Sequence, residues 1–216
     1  MDYETLKTHH REVRDDYPQS LNLRIHRALS WLNRAEQCDD GDGQFIFLWI
    51  AFNAAYANEI GGGEKSPEQK IFGQFISKLV DLDKEDTLYN LMWQEFPGCV
   101  RVLLDNKYVF QPFWDYHNGK IDKEQWDSSF KLAKQAASRA LAEHRTTAVF
   151  TAVLSRMYTL RNQLIHGGAT WNSAVNRDQV RDCSTLLGKI VPFIIKLMLD
   201  NPGTLWGAAC YPVIED

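Results

Sequence analysis

The run Leu160-Arg161-Asn162-Gln163-Leu164-Ile165-His166-Gly167-Gly168 places an arginine, an asparagine and a histidine in an otherwise apolar helical pattern, directly before two glycines. Together these residue types can move protons and hold an anion. Histidine gives and takes protons near neutral pH, and arginine is a permanent cation with a fork of donors. At about 100° per residue, Asn162 and His166 lie about 40° apart on one helix face and Arg161 lies about 140° from His166. Arg161 can therefore share a site with the imidazole only through its long side chain. A place at the helix C-terminus favours the protonated ring through the helix dipole, which suits a general acid. The same residues also have a plainer reading, in which His166 caps its own helix and Arg161 pairs with an acid across the bundle. Spacing alone leaves both readings open.

Charge around the motif is uneven. Between His144 and Arg181 five arginines (Arg145, Arg156, Arg161, Arg177 and Arg181) face one acid, Asp178, a local charge of +4 within a chain of net charge −4. Bulk coating of nucleic acid needs a basic protein, because phosphate neutralisation supplies that affinity. A local basic site on an acidic body suits a smaller anionic feature. Arg156, Arg177 and Arg181 are the candidates for additional phosphate contacts, although five scattered, solvated arginines would give the same count.

The elements that must position this motif read as helices throughout. Spacing near 3.6 recurs along the chain, and no sustained period-2 alternation competes with it. The pattern predicts a helix from about Ser20 to Glu36, preceded by a polar arm carrying His9-His10, and a second from about Gln44 to Asn58. The second is apolar all round, as for a central helix covered on every side, where Asn53 would need a hydrogen-bond partner or cost about 1–3 kcal/mol. Ser66-Pro67 should cap a third helix bearing Ile71, Phe75, Ile76 and Leu79. Shorter helices follow near Glu85 to Phe96 and Gly98 to Asn106. An irregular aromatic stretch, Tyr108 to Gly119, should pack over the core, although aromatics near a basic site can also stack on bases. Three long helices close the chain. Asp122 caps one to about His144, Thr146 caps the motif helix, and the last spans about Arg177 to Asp200, where Pro192 should kink it. Residues 201–216 read as an extended tail. The expected architecture is one all-α domain over residues 1–216, an antiparallel helical bundle with its core at about residues 20–198.

Other chemistries find little support. Counting twelve residues from Asp39 or Asp40 places Ile50 or Ala51 where a calcium loop needs its bidentate glutamate, so Asp39 to Gly43 reads as an interhelical turn. In Gly63-Glu64-Lys65-Ser66 the residue before lysine is not glycine and no strand precedes it, unlike a phosphate-binding loop. Cys38, Cys99, Cys183 and Cys210 form no C-x-x-C pair, and no signal-peptide pattern opens the chain, so reduced thiols in a cytoplasmic protein are expected. Phe45 to Ala57 is too short to span a bilayer. No metal site and no cofactor are expected.

Arg161-Asn162-Gln163-Leu164-Ile165-His166 resembles the R-N-x-x-x-H form of the R-x4-6-H motif of the HEPN superfamily. Phe45 to Tyr56 resembles the apolar second helix of Apea-like and related bacterial HEPN proteins, and Leu160 to Gly168 their LRN-x-x-x-HGG run. The similarity covers about Ser20 to Met198, with the middle helices and the aromatic stretch as insertions. It implies a helical bundle that dimerises so that two motifs face one cleft. It also implies metal-independent endoribonuclease activity, as in toxins of toxin–antitoxin pairs and effectors of antiphage defence. In that carry-over His166 is the acid/base, Arg161 clamps the phosphate, and Asn162 orients His166 or the phosphate. RNA, single-stranded or looped and including tRNA, is the expected partner. A second copy of the chain and an antitoxin or regulatory protein complete the set, with no membrane involved. The alternatives are a dimer of the same kind that binds RNA, a nucleotide or a partner protein without cutting it, and an unrelated structural helical protein.

Overall fold

The computed structural model describes residues 1–56, 68–204 and 206–207, with side chains in the helix from residue 68 described from residue 72 onward. The Ser66-Pro67 cap, the Gly61-Gly62-Gly63 loop, Cys210 and most of the expected tail lie outside the described residues. The fold is all-α, with no strand among the described residues. In chain order the helices are α1 (Tyr3–Val13), α2 (Gln19–Glu36), α3 (Gly41–Tyr56), α4 (Glu68–Leu82), α5 (Thr87–Asn90), a π-helix (Leu91–Glu95), α6 (Pro97–Asp105), α7 (Gln111–His117), α8 (Lys123–Ala142), α9 (Thr146–Ile165) and α10 (Arg177–Asp200). No described helix is long and apolar enough to cross a membrane.

Where the sequence suggests one domain, the packing divides into two compact units. Met1–Leu82 with the chain from Cys183 onward forms the first, and Asp83–Asp182 forms the second.

The first unit is built on the α2–α3 pair. Leu21, Ile25, Ala28, Leu29 and Leu32 recur at helical spacing along α2 and are buried, burial worth about 1.5–3 kcal/mol for each large side chain. The turn into α3 works as expected for Asp39 to Gly43, because the Asp40 carboxylate accepts from the Gly43 N–H at 2.8 Å and caps the new helix. α3 is not covered on every side, however. Phe45, Leu48, Trp49, Phe52 and Ala55 are buried, while Ile46, Ile50 and Asn53 are only half-buried. Asn53 thereby keeps access to water, which removes the penalty expected of a buried carboxamide. From Cys183 on, α10 contributes Leu186, Leu187, Ile190, Ile194 and Met198 to this core, and Pro192 sits inside the helix without ending it.

The residues read as a polar arm form α1. Asp2 caps it by accepting from the Thr5 N–H at 3.0 Å, and Leu6 and His10 turn inward. Burial pushes the His10 imidazole pKa below its usual value, and Nε2 lies 3.2 Å from the Asn22 Oδ1. One apolar residue per turn was too sparse a signal to show the docking in sequence. Leu6 is 2% exposed, so Leu6→Ala should cost about 2–5 kcal/mol by removing buried volume. Chemical denaturation checks this, since an undocked arm would leave the midpoint unchanged.

Candidate active site at the end of α9

All six arginine, asparagine and histidine candidates fall within the second unit. α9 carries the motif because its first four turns bury a continuous stripe, Val149, Phe150, Val153, Leu154, Met157 and Leu160. Arg145 occupies the N-cap position and no side chain caps the helix there, so Thr146, read as the cap, is instead its first residue.

The C-terminus is closed more tightly. His166 is the C-cap, Gly167 follows with φ of +70°, and two reverse hydrogen bonds complete a Schellman motif: Gly168 N–H to Gln163 O at 2.7 Å and Gly167 N–H to Leu164 O at 3.3 Å. Both glycines are needed. Gly167 adopts a backbone that side chains disfavour, and a Cβ on Gly168 would lie 3.2 Å from the Gln163 carbonyl oxygen.

Arg161 Nη1 donates to Asn162 Oδ1 at 2.9 Å. No carboxylate pairs with Arg161 among the described residues, so the plainer reading of an arginine neutralised across the bundle does not describe it. Its Nε is buried without a hydrogen-bond partner. Asn162 therefore orients Arg161 through its side chain, and it meets His166 through its backbone carbonyl, which accepts the His166 N–H at 3.0 Å. The His166 side chain is exposed. Arg161 thus presents a held, uncompensated cation at a helix end that also exposes an imidazole.

The three outlying arginines separate. Arg156 is 6% exposed, with its guanidinium 4.2 Å from the centre of the Phe110 ring and a long bond to the Leu104 carbonyl at 3.4 Å. Its guanidinium is thus buried in the core of this unit, where the sequence reading places it among the surface arginines. Loss of water around it lowers its pKa to about 10. Arg181 is exposed and pairs with Asp178 and Asp182, both at 2.9 Å, so its charge is largely spent locally. Arg177 is half-buried and donates to Asn172 Oδ1 at 3.4 Å.

Sequence reasoning passed over Gln163. Its Nε2 donates to the Tyr108 carbonyl at 2.5 Å and its Oε1 accepts from Asn176 Nδ2 at 3.2 Å. One carboxamide thereby ties both flanking segments to the motif helix. The aromatic stretch is more regular than expected: a 3-10 turn over Lys107–Val109 leads into α7, and Phe113 packs edge-on against Tyr108, Trp114 and Trp126. Beyond the motif, Trp171 and Val175 are 75% and 84% exposed.

Comparisons with protein-family models, with curated proteins and with solved structures find no significant match to this chain. Arg156→Met keeps the volume while removing a desolvated charge, so it should leave stability within about 1 kcal/mol of the parent or raise it. Thermal unfolding measures this, and a loss of several kcal/mol would mean that the guanidinium has a partner that stabilises it.

Proposed function

We propose that the chain is a metal-independent endoribonuclease that acts as a homodimer, with the end of α9 from each copy lining one cleft. The observation that carries this reading is the Arg161 guanidinium, which is oriented by Asn162 and has no carboxylate partner among the described residues, on the helix whose end exposes His166. Such a pair can supply what cleavage of an RNA phosphodiester requires. A neutral imidazole takes the proton of a ribose 2′-hydroxyl, and the resulting oxygen attacks the adjacent phosphorus. The guanidinium stabilises charge on the non-bridging oxygens as the phosphorane forms. A protonated imidazole then gives its proton to the departing 5′-oxygen. The products are a 2′,3′-cyclic phosphate and a 5′-hydroxyl. Two proton transfers on opposite sides of the phosphorus are served more easily by two histidines, one from each copy.

A further feature supports pairing. Tyr158 and Ile165, seven residues apart and so on one face of α9, are 42% and 44% exposed. They flank Arg161 and Asn162 and give the motif face apolar surface suited to a second copy. The same exposed surface also fits the second reading, a dimer that binds RNA or a partner protein without cutting it. Toxin or antiphage-effector roles, and a controlling antitoxin, go with the first reading.

Purified protein incubated in EDTA with total RNA and with tRNA should leave cyclic-phosphate ends, and Arg161→Ala and His166→Ala should each abolish cleavage with melting temperatures nearly unchanged. Cleavage lost on chelation and restored by magnesium would reject the mechanism. Sedimentation should show a dimer, and RNA affinity should fall with salt. A non-cleaving dimer whose RNA binding still needs Arg161 would select the second reading.

A further inference from the structure

The second unit holds another constellation, outside the α9 motif. α8 ends in the same kind of closure as α9: Arg145 N–H bonds to Ala140 O at 2.9 Å and His144 N–H to Leu141 O at 3.3 Å, with His144 at φ of +52° in the left-handed position. Glycine or asparagine is the usual residue there. The histidine is held by contacts of its own ring. Its Nδ1 lies 3.0 Å from the Tyr89 hydroxyl, and the ring stacks on Trp93 at 5.5 Å between centroids. Tyr89 stacks on Trp93 as well, at 4.8 Å and 14° between planes. Trp93 lies on the π-helix Leu91–Glu95, a rare geometry frequent at functional sites, and its indole N–H is fixed by the Leu141 carbonyl at 3.2 Å.

Trp93 and His144 of this cluster line a groove of about 590 Å³ between α6 and α8, together with the apolar Leu104, Ala137 and Leu141 and the charged Arg101, Asp105 and Lys134. Lys134 pairs with Asp105, whereas the exposed Arg101 has no hydrogen bond or ion pair among the described residues. Lys134 and Leu141 are seven residues apart on α8, about 10 Å along its axis. The groove thus combines aromatic lining from Trp93 and His144, one arginine without an acid partner among the described residues, and a volume in the range of small-ligand sites.

We propose that this groove binds a nucleotide, with the base against Trp93 and His144 and the phosphate on Arg101. The shared chemistry, a planar heterocycle joined to an anion, could come from a free mononucleotide or from one unit of a single-stranded RNA. Stacking supplies affinity for any base, and the guanidinium supplies the charge-assisted hydrogen bonds.

Calorimetric titration of the full chain carrying Arg161→Ala and His166→Ala together, which removes RNA binding and cleavage through the α9 motif, with AMP and separately with hexa-adenylate RNA, tests this. That background cannot cleave through the α9 motif, so failure of the cleavage mechanism and failure of this site are separate results. His144→Gly removes the ring while supplying the residue the backbone prefers, and Arg101→Ala removes an exposed side chain with little effect on folding. Each should weaken binding by about tenfold or more. Equal affinity for both ligands identifies a free nucleotide as the occupant, and binding of the hexamer alone identifies an RNA strand. Absence of binding by either ligand at millimolar concentration would overturn the proposal. So would His144→Gly binding as well as its parent, or inorganic phosphate competing as well as AMP, since either would leave only a simple anion site.

Discussion

A helix that buries one face along most of its length can expose chemistry only where it stops, and the stopping of α9 is the constraint on which the candidate active site depends. Leu160 is fully buried, yet six residues later His166 is exposed. That change takes place in under two turns. It requires the left-handed backbone at Gly167 and the return of the Gly168 N–H to Gln163, which together close the helix without exposing its last carbonyls. Gln163 then contributes in two ways, with its backbone carbonyl closing the helix and its carboxamide holding the Tyr108 and Asn176 segments. A single residue therefore couples helix termination to the shape of the surface around Arg161.

The arginines of this unit show how burial decides what a charge does. Arg156, Arg161 and Arg181 have the same side chain and lie within 26 residues of one another. Arg156 faces Phe110 and Phe130 with one weak carbonyl contact, so its long stem and flat head serve as packing. Arg181 satisfies its guanidinium with two aspartates on its own helix, a local arrangement of small energetic worth. Arg161 has neither an apolar sandwich nor an acid among the described residues, and its guanidinium donates to the neighbouring Asn162. Net charge in a sequence window counts all three alike.

Much of the fold was legible because it rests on local rules. The 3.6 period marked α2, α8, α9 and α10 to within a few residues, and Asp122 with Gln125 forms the capping box that begins α8. The motif itself was legible because glycine at a helix end has a specific backbone purpose. What escaped was set by tertiary contact. Docking of α1 depends on packing against the next long helix, where His10 meets Asn22, and the burial of Arg156 depends on aromatic residues about 26 and 46 positions away. The division into two units also left no linker, because the boundaries fall after α4 and inside α10.

That division fixes an order of events during synthesis. The second unit is continuous in sequence, Asp83–Asp182, whereas the first must join residues on either side of it. At about 5–20 residues per second, the hundred residues of the inserted unit separate emergence of α4 from emergence of the α10 core face by about 5–20 s. During that interval α2 and α3 have left the ribosome while Leu186, Ile190 and Ile194, which belong to the same core, have not yet been made. The inserted unit needs only residues already present to complete itself, and its folding shortens the loop that the first unit must close. An apolar helix pair waiting for its third partner is a surface that a chaperone, or another nascent copy, can meet first.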